Sequence, residues 1–244
     1  MNMDIQLNDI SKSFGDQLAI DHVGFTINSG DICCLLGPSG SGKTTLIRLM
    51  IGALAADKGS IRIGETKMPN MGMLHNIGFM PQNDGLYDDL SAEANLEFFG
   101  SIYKLGKTKL QQRIPEVLTL VDLTDDRKKL VRNFSGGMKK RLSLAIAILH
   151  QPDVLFLDEP TVGIDPILRR QIWDQFQAIR ANGTTIIVST HVMDEVLECD
   201  RAALIYNGRL IAYDTVPHLL DQTENGRVEE LFLIAGREGG MDHA

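Results

Sequence analysis

With 244 residues, 43% of them hydrophobic, the chain is long enough for one substantial core, and its formal net charge of -8 argues against a broad nucleic-acid footprint. Its three cysteines, Cys33, Cys34 and Cys199, cannot all pair, and two are adjacent inside an apolar run, which favours buried reduced thiols and a cytosolic setting over a disulfide framework. No basic-then-apolar leader opens the chain and no apolar stretch approaches the roughly 18 residues of a spanning helix, so any membrane crossing is expected from another chain.

From the N-terminus, "IQLNDI" and "HVGFTIN" alternate apolar and polar residues, as half-exposed strands do. "DICCLLG" is a continuous apolar run ending in glycine, which predicts a strand buried on both faces of a parallel sheet. "GPSGSGKTT", Gly37 to Thr45, follows at once and fits G-x-x-x-x-G-K-[ST], between that strand and a helix expected from Gly42 to about Gly52. The glycines let backbone N–H groups close around phosphate oxygens, and the helix N-terminus adds its partial positive charge. Gly37, Pro38, Ser39, Gly40, Ser41, Gly42 and Thr45 are therefore nucleotide-binding candidates. Lys43 should reach the β- and γ-phosphates, while the Thr44 hydroxyl ligates Mg2+.

"GSIRIG" and "NIGFMPQ" predict further strands, and from about Asp88 to Arg132 the pattern turns helical. Ser91 can cap "SAEANLEFFGSIY"; Thr108 with Gln111 has capping-box spacing at the start of "KLQQRIPEVLTLV", whose Pro115 is expected to weaken or split that helix. The basic runs Arg127–Lys129 and Lys139–Arg141 read as solvated helix faces. "NFSGGM", Asn133 to Met138, opens another apolar helix; Ser135 and the N–H groups of Gly136 and Gly137 suit an anion site there, and Ser135 also suits a plain N-cap. "VLFLDEP" is an apolar strand ending in two acids: Asp158 placed to hold Mg2+, directly or through water, and Glu159 placed to act as general base on a water. With the phosphate loop upstream, this makes a nucleoside-triphosphate hydrolase.

The remainder alternates: helix "ILRRQIWDQFQAIRANG", strand "TTIIVST", helix "MDEVLEC", strand "AALIYNG", then a tail, 221–244, with no assigned order. The expected architecture is α/β, a single domain over 1–220 with a helical insertion at about 88–132.

Only one large family combines the loop and the acidic strand with a Ser-Gly-Gly signature just ahead of that strand. The chain resembles the nucleotide-binding cassette of ABC proteins, over essentially its whole length and in the family's order. The resemblance implies a P-loop NTPase core of the ABC ATPase type, with an N-terminal antiparallel β subdomain and an inserted α-helical subdomain. It implies ATP and Mg2+ as cofactors, and two cassettes paired head to tail so that Ser135, Gly136 and Gly137 of each complete the other's site. On the same ground Phe14 in "SKSFG" corresponds to the aromatic that stacks on adenine, where the family more often has Tyr. Gln82 in "MPQND" corresponds to the glutamine that joins metal and water to the helical insertion, Asp165 in "TVGIDP" to the loop along the dimer interface, and His191 in "VSTH" to the switch histidine at the γ-phosphate. Met138 stands where Gln commonly follows Ser-Gly-Gly, and "SGGMKKRL", "GLYDDLSAEANLEFFGSIYKL" and "VEELFLIAG" resemble the export branch that handles drugs, antibiotics, polysaccharides or lipids.

The implied partners are a transmembrane permease subunit and a second cassette, identical or different, at the cytoplasmic face of the cell membrane, with no nucleic acid. Leu86, Tyr87, Phe98 and Phe99 are candidates for touching the permease, although internal packing is the favoured reading of Phe98 and Phe99. A soluble ABC ATPase acting on nucleic acid or ribosomes is the rival; a single compact cassette, no heptad arm and an acidic balance stand against it. Intact Glu159 and His191 stand against a nucleotide-dependent module without turnover, and the lack of an N-K-x-D guanine reader against a GTPase.

Overall fold

A computed structural model describes residues 2–83 and 85–239 of the chain. The chain divides into two compact units, Met1–Met71 with Ile187–Ala244, and Gly72–Ile186.

In the first unit, β1 (Ile5–Phe14) pairs antiparallel with β2 (Gln17–Ile27) on one side and β4 (Lys58–Ile63) on the other, and β5 (Thr66–Met68) completes the order β2-β1-β4-β5. Ile5 faces both Ile27 and Ile63, and Leu7 faces Phe25 and Ile61, so one face of this sheet is apolar and buried, as period-two alternation demands. The second set runs parallel at its centre. β3 (Ile32–Leu36) pairs with β9 (Arg201–Tyr206), Cys34 opposite Ala202 and Leu36 opposite Leu204; β10 (Arg209–Thr215) returns antiparallel on β9, and β8 (Thr185–Thr190), most of which falls in this unit, lies beside β3. Every residue of β3 and β8 is buried, the signature of strands covered on both faces. α1 (Lys43–Met50) follows β3, α6 (Val216–Asp221) follows β10, and α7 (Glu229–Gly239) packs near β10.

In the second unit β6 (Ile77–Met80) pairs parallel with β7 (Val154–Asp158), Ile77 opposite Val154 and Met80 opposite Leu157. Around it stand α2 (Ala92–Ile102), α3 (Lys107–Leu120), α4 (Gly136–Ile148) and α5 (Pro166–Ala181). α5 buries Ile172, Trp173, Phe176 and Ile179 along one stripe at helical spacing, with Trp173 edge-on to Phe176 at 5.2 Å. From Leu142 onward α4 is buried all round, and it contacts α2, α3 and β6.

Ser91 caps α2 as expected, its hydroxyl accepting from Ala94 N at 3.1 Å. Thr108 does not cap α3. The helix starts at Lys107 with Gly106 as N-cap, two residues ahead of a cap at Thr108; Leu110 N closes the first turn on Gly106 O, and the Leu110 side chain fills the space where a Cβ on Gly100 would stand, 2.2 Å from Leu110 Cδ2. Packing of that half-buried leucine against Gly100 of α2 favours the earlier start, and the Thr108–Gln111 spacing is overridden. Nor does Pro115 split α3: the helix runs through it, held by Ile114, Val117 and Leu118, whose burial offsets the missing hydrogen bond. "MDEVLEC" forms a 3-10 turn, Met193–Glu198, in place of an α-helix. β5 and β10 are strands that the sequence pattern left unassigned. Of the tail, α7 is helical, and residues 240–244 lie outside the described residues.

Candidate active site

The phosphate loop begins where β3 ends. Gly37 N donates to Thr190 O at 3.3 Å, and a Cβ at position 37 would come 2.2 Å from Ile205 O, so only glycine lets the loop leave the sheet here. Gly42, at φ 107°, caps α1 in the left-handed region, and a Cβ on it would meet Ile20 Cδ1 at 2.7 Å and Ala19 O at 2.9 Å. Pro38, Ser39 and Gly40 are exposed, and Thr44 and Thr45 stand half-buried in the first turn of α1, which carries no acidic residue.

Lys43 is only 4% exposed, and its Nζ donates to Gly37 O at 2.8 Å and Pro38 O at 2.9 Å. A buried ammonium is costly unless it is hydrogen-bonded, and the loop's own carbonyls supply part of that compensation. Ser41 donates its N–H to Pro38 O and accepts from Gly208 N at its carbonyl, yet its Oγ is buried without a hydrogen-bond partner. That orphaned hydroxyl, the left-handed glycines and the helix start together fit a bound phosphate chain.

Elsewhere in the first unit, His191 directly follows β8. Its turn is fixed by two residues that sequence reasoning missed: Thr190 Oγ1 donates to Glu195 Oε2 at 2.6 Å and accepts from Val192 N at 3.0 Å, with Thr190 and Glu195 both buried. A glutamate in "MDEVLEC" reads as surface charge until its buried threonine partner is seen. Phe14 ends β1 and is 48% exposed, so it is no core residue. Lys12 Nζ lies 5.8 Å from its ring centroid and pairs with Asp57 at 2.7 Å. The Lys12 hydrogen bond, with help from Ser13 N–H, holds the Asp57 carboxyl below its ordinary range.

The second unit holds Gln82, the Ser-Gly-Gly segment, the acidic pair and Asp165. β7 delivers Asp158, 2% exposed, and then Glu159, 8% exposed at φ 52°. A non-glycine residue in the left-handed region is uncommon, and such strain gathers where geometry serves a function. Gln82, two residues beyond β6, donates from Nε2 to Glu159 Oε2 at 3.0 Å. Two parallel neighbouring strands thus bring a carboxylate and an amide together from 77 positions apart.

Ser135 is the N-cap of α4, its hydroxyl accepting from Met138 N at 3.3 Å, and Ser135 and Gly136 are exposed. Gly137 faces Leu168, whose Cδ2 would lie 3.0 Å from an added Cβ. Asp165 caps α5, accepting from Ile167 N at 3.1 Å and Leu168 N at 3.0 Å. That cap explains the residue locally whatever else it does. Among the described residues no cluster of three or more His, Cys, Asp or Glu side chains is arranged to hold a metal. Within the second unit Asp158 and Gln82 carry oxygen donors of the kind Mg2+ takes, as Thr44 does within the first.

A family model described as "ABC transporter" matches residues 20–162. "ABC transporter G family member 20" of Dictyostelium discoideum is 36% identical over 231 residues, covering 94% of this chain and 32% of that protein. "Nod factor export ATP-binding protein I" of Sinorhizobium fredii is 38% identical, covering 93% of this chain and 67% of that one. A solved ATP-binding subunit of an ABC transporter superposes with a TM-score of 0.84 at 26% identity, over 94% of this chain and 98% of that one. The chain thus spans about a third of the amoebal relative.

Proposed function

The chain belongs to the ABC transporter family, and from that premise we propose that it is the ATP-binding and ATP-hydrolysing subunit of a transporter whose membrane-spanning part is a separate chain. Among the described residues no helix is long and apolar enough to cross a membrane. The chain would work at the cytoplasmic face, paired with a second cassette. The export role that the Sinorhizobium protein's name gives it, together with Met138 and its flanking motifs, supports export as the direction.

The observation that carries the reading is Glu159, a buried carboxylate in a left-handed backbone, held by the Gln82 amide. In the proposed mechanism the N–H groups of Gly37–Thr45 and the Lys43 ammonium hold the phosphates, and Phe14 offers its exposed ring to the adenine. Thr44, Asp158 and Gln82 would hold Mg2+, which when bound neutralises charge developing on the transferred phosphoryl group. Glu159 accepts the proton of the attacking water, with Gln82 fixing the rotation of its carboxylate. His191, on a turn pinned by Thr190 and Glu195, contacts the γ-phosphate. Ser135, Gly136 and Gly137 present a solvent-facing helix start to the nucleotide of the other cassette, and Asp165 lies along the same interface. ATP drives pairing to the extent that it binds the closed pair more tightly than the open one.

The test is Glu159→Gln. Turnover should fall by roughly 10²- to 10⁴-fold, the range for removing a general base, while ATP affinity holds. Wild-type turnover in this variant would refute the assignment.

A further inference from the structure

We infer that Lys140 is a positioning residue for Glu159, tying the helix opened by the Ser-Gly-Gly segment to the Gln82–Glu159 pair. The inference rests on the reading of Glu159 as the base and extends it to a residue that reading does not use.

The two consecutive lysines Lys139 and Lys140 stand on α4, one turn beyond its Ser135 N-cap. Lys140 Nζ donates to the backbone carbonyl of Gln82 at 2.5 Å, and Lys139 Nζ pairs with Asp88 Oδ1 at 2.7 Å. Both contacts fall on the connection between β6 and α2, near its two ends. The far end is held independently, since the fully buried Asn95 accepts from Tyr87 N at 2.9 Å and donates to Tyr87 O at 3.1 Å. At the near end Gln82 is an exposed residue in irregular backbone. Its side chain donates to Glu159 Oε2 at 3.0 Å. The peptide oxygen that Lys140 grips belongs to the same residue as the amide that orients the carboxylate.

A charged donor on a carbonyl is among the stronger hydrogen bonds. Releasing it frees the Gln82 peptide to rotate and takes the amide off Glu159. Because Lys140 rides on α4, a shift of the helix start that meets the second cassette's nucleotide is carried to the carboxylate through two hydrogen bonds. The run "MKKRL", which reads by itself as a solvated basic face, thereby gains a specific task for its second lysine.

Steady-state ATPase kinetics on the full chain test this, using Lys140→Ala, Lys140→Arg, Gln82→Ala, the Gln82→Ala/Lys140→Ala double variant and Glu159→Gln. Lys140→Ala should lower kcat about tenfold, the size of one charge-assisted hydrogen bond, at unchanged KM for ATP. Lys140→Arg, which keeps a cationic donor, should restore kcat to within about threefold. In the Gln82→Ala background, Lys140→Ala should have no further effect, because the two act in series. Unchanged kcat in Lys140→Ala, effects that add in the double variant, or a loss that Arg does not rescue and that tracks the melting temperature would each overturn the inference. Glu159→Gln separates the two ideas: if it abolishes turnover while Lys140→Ala is silent, only the role of Lys140 falls. If Glu159→Gln retains turnover, both fall.

Discussion

Ser41 and Gly42 are neighbours in the proposed phosphate loop, yet they are expected to respond to substitution in opposite ways. The Ser41 hydroxyl is buried without a partner, which costs about 1–3 kcal/mol relative to a satisfied or absent group. Ser41→Ala should therefore leave the stability of the nucleotide-free chain unchanged or raise it by up to about 1 kcal/mol, yet shrink the rise in melting temperature that ATP and Mg2+ produce. Thermal unfolding with and without nucleotide reads both quantities, and an equal loss in the two conditions would make the hydroxyl structural. Gly42→Ala behaves oppositely. A Cβ there meets the backbone oxygen of Ala19 at 2.9 Å in a left-handed conformation, so a loss of about 2 kcal/mol or more is expected even without nucleotide. These loop residues were legible in the sequence because their chemistry is local: glycine, lysine and threonine at fixed offsets. Thr190, Glu195 and Lys140 were not, because each matters through a partner whose identity only the fold supplies. Phe14 falls between the two: the sequence singles it out only through the family resemblance, and the fold adds that its ring is 48% exposed.

The elements of the second unit are joined by polar contacts that periodicity does not announce. Arg113 on α3 donates from Nε to Leu149 O and from Nη2 to Ile148 O, both at 3.2 Å, and so caps the C-terminus of α4 with a cation at its negative end. Arg113→Ala should lower stability by about 1–2 kcal/mol in urea unfolding, with Arg113→Lys recovering part of it. Next to that end His150 is buried, stacked on Tyr103 at 3.8 Å, and its Nε2 bonds Ile77 O at 2.9 Å while Nδ1 has no partner. Burial, aided by the charges of His75, Lys109 and Arg113, pushes its pKa down to about 4 and outweighs the Ile77 hydrogen bond. The folded chain thus keeps His150 neutral where the unfolded chain takes up a proton. Its contribution is complete above pH about 6.5 and is lost as pH falls from there toward about 4. Unfolding at pH 7 and pH 5 should show a loss in the wild type that is smaller in His150→Gln; identical losses would exclude His150 as the source. Most strands and helices were legible because their apolar periods are strong, whereas β5 and the mostly half-buried β10 carry no such period. The start of α3 and its continuity through Pro115 were not legible, because packing of Leu110 on Gly100 and burial of Ile114, Val117 and Leu118 override local capping and proline signals.

At the scale of the whole molecule, what the chain exposes bears on what it meets. Tyr87 and Phe98 are 47% and 39% exposed, yet their rings pack edge-on at 4.6 Å, and Phe98 meets Phe99 at 5.4 Å. The expectation that Phe98 packs internally is therefore half right: it packs, but on a surface cluster. Aromatic rings that are mutually ordered and still half in solvent lose little entropy on being covered, which is why such residues anchor interfaces. Tyr87 is further fixed by Asn95 through both its backbone N–H and its carbonyl, so the ring is presented on a rigid support. If the proposed membrane partner docks here, Tyr87→Ala and Phe98→Ala should each reduce its recovery with tagged protein from detergent-solubilised membranes. One truncated anchor at about 2 kcal/mol corresponds to roughly a 30-fold weaker complex. ATP affinity and melting temperature should change little, because neither ring belongs to the phosphate loop or the acidic strand, and losses there are the mark of a folding defect. Undiminished recovery of a multi-span chain in both variants would move the docking surface elsewhere, whereas recovery of soluble chains alone, even by the wild type, would remove the transporter reading itself.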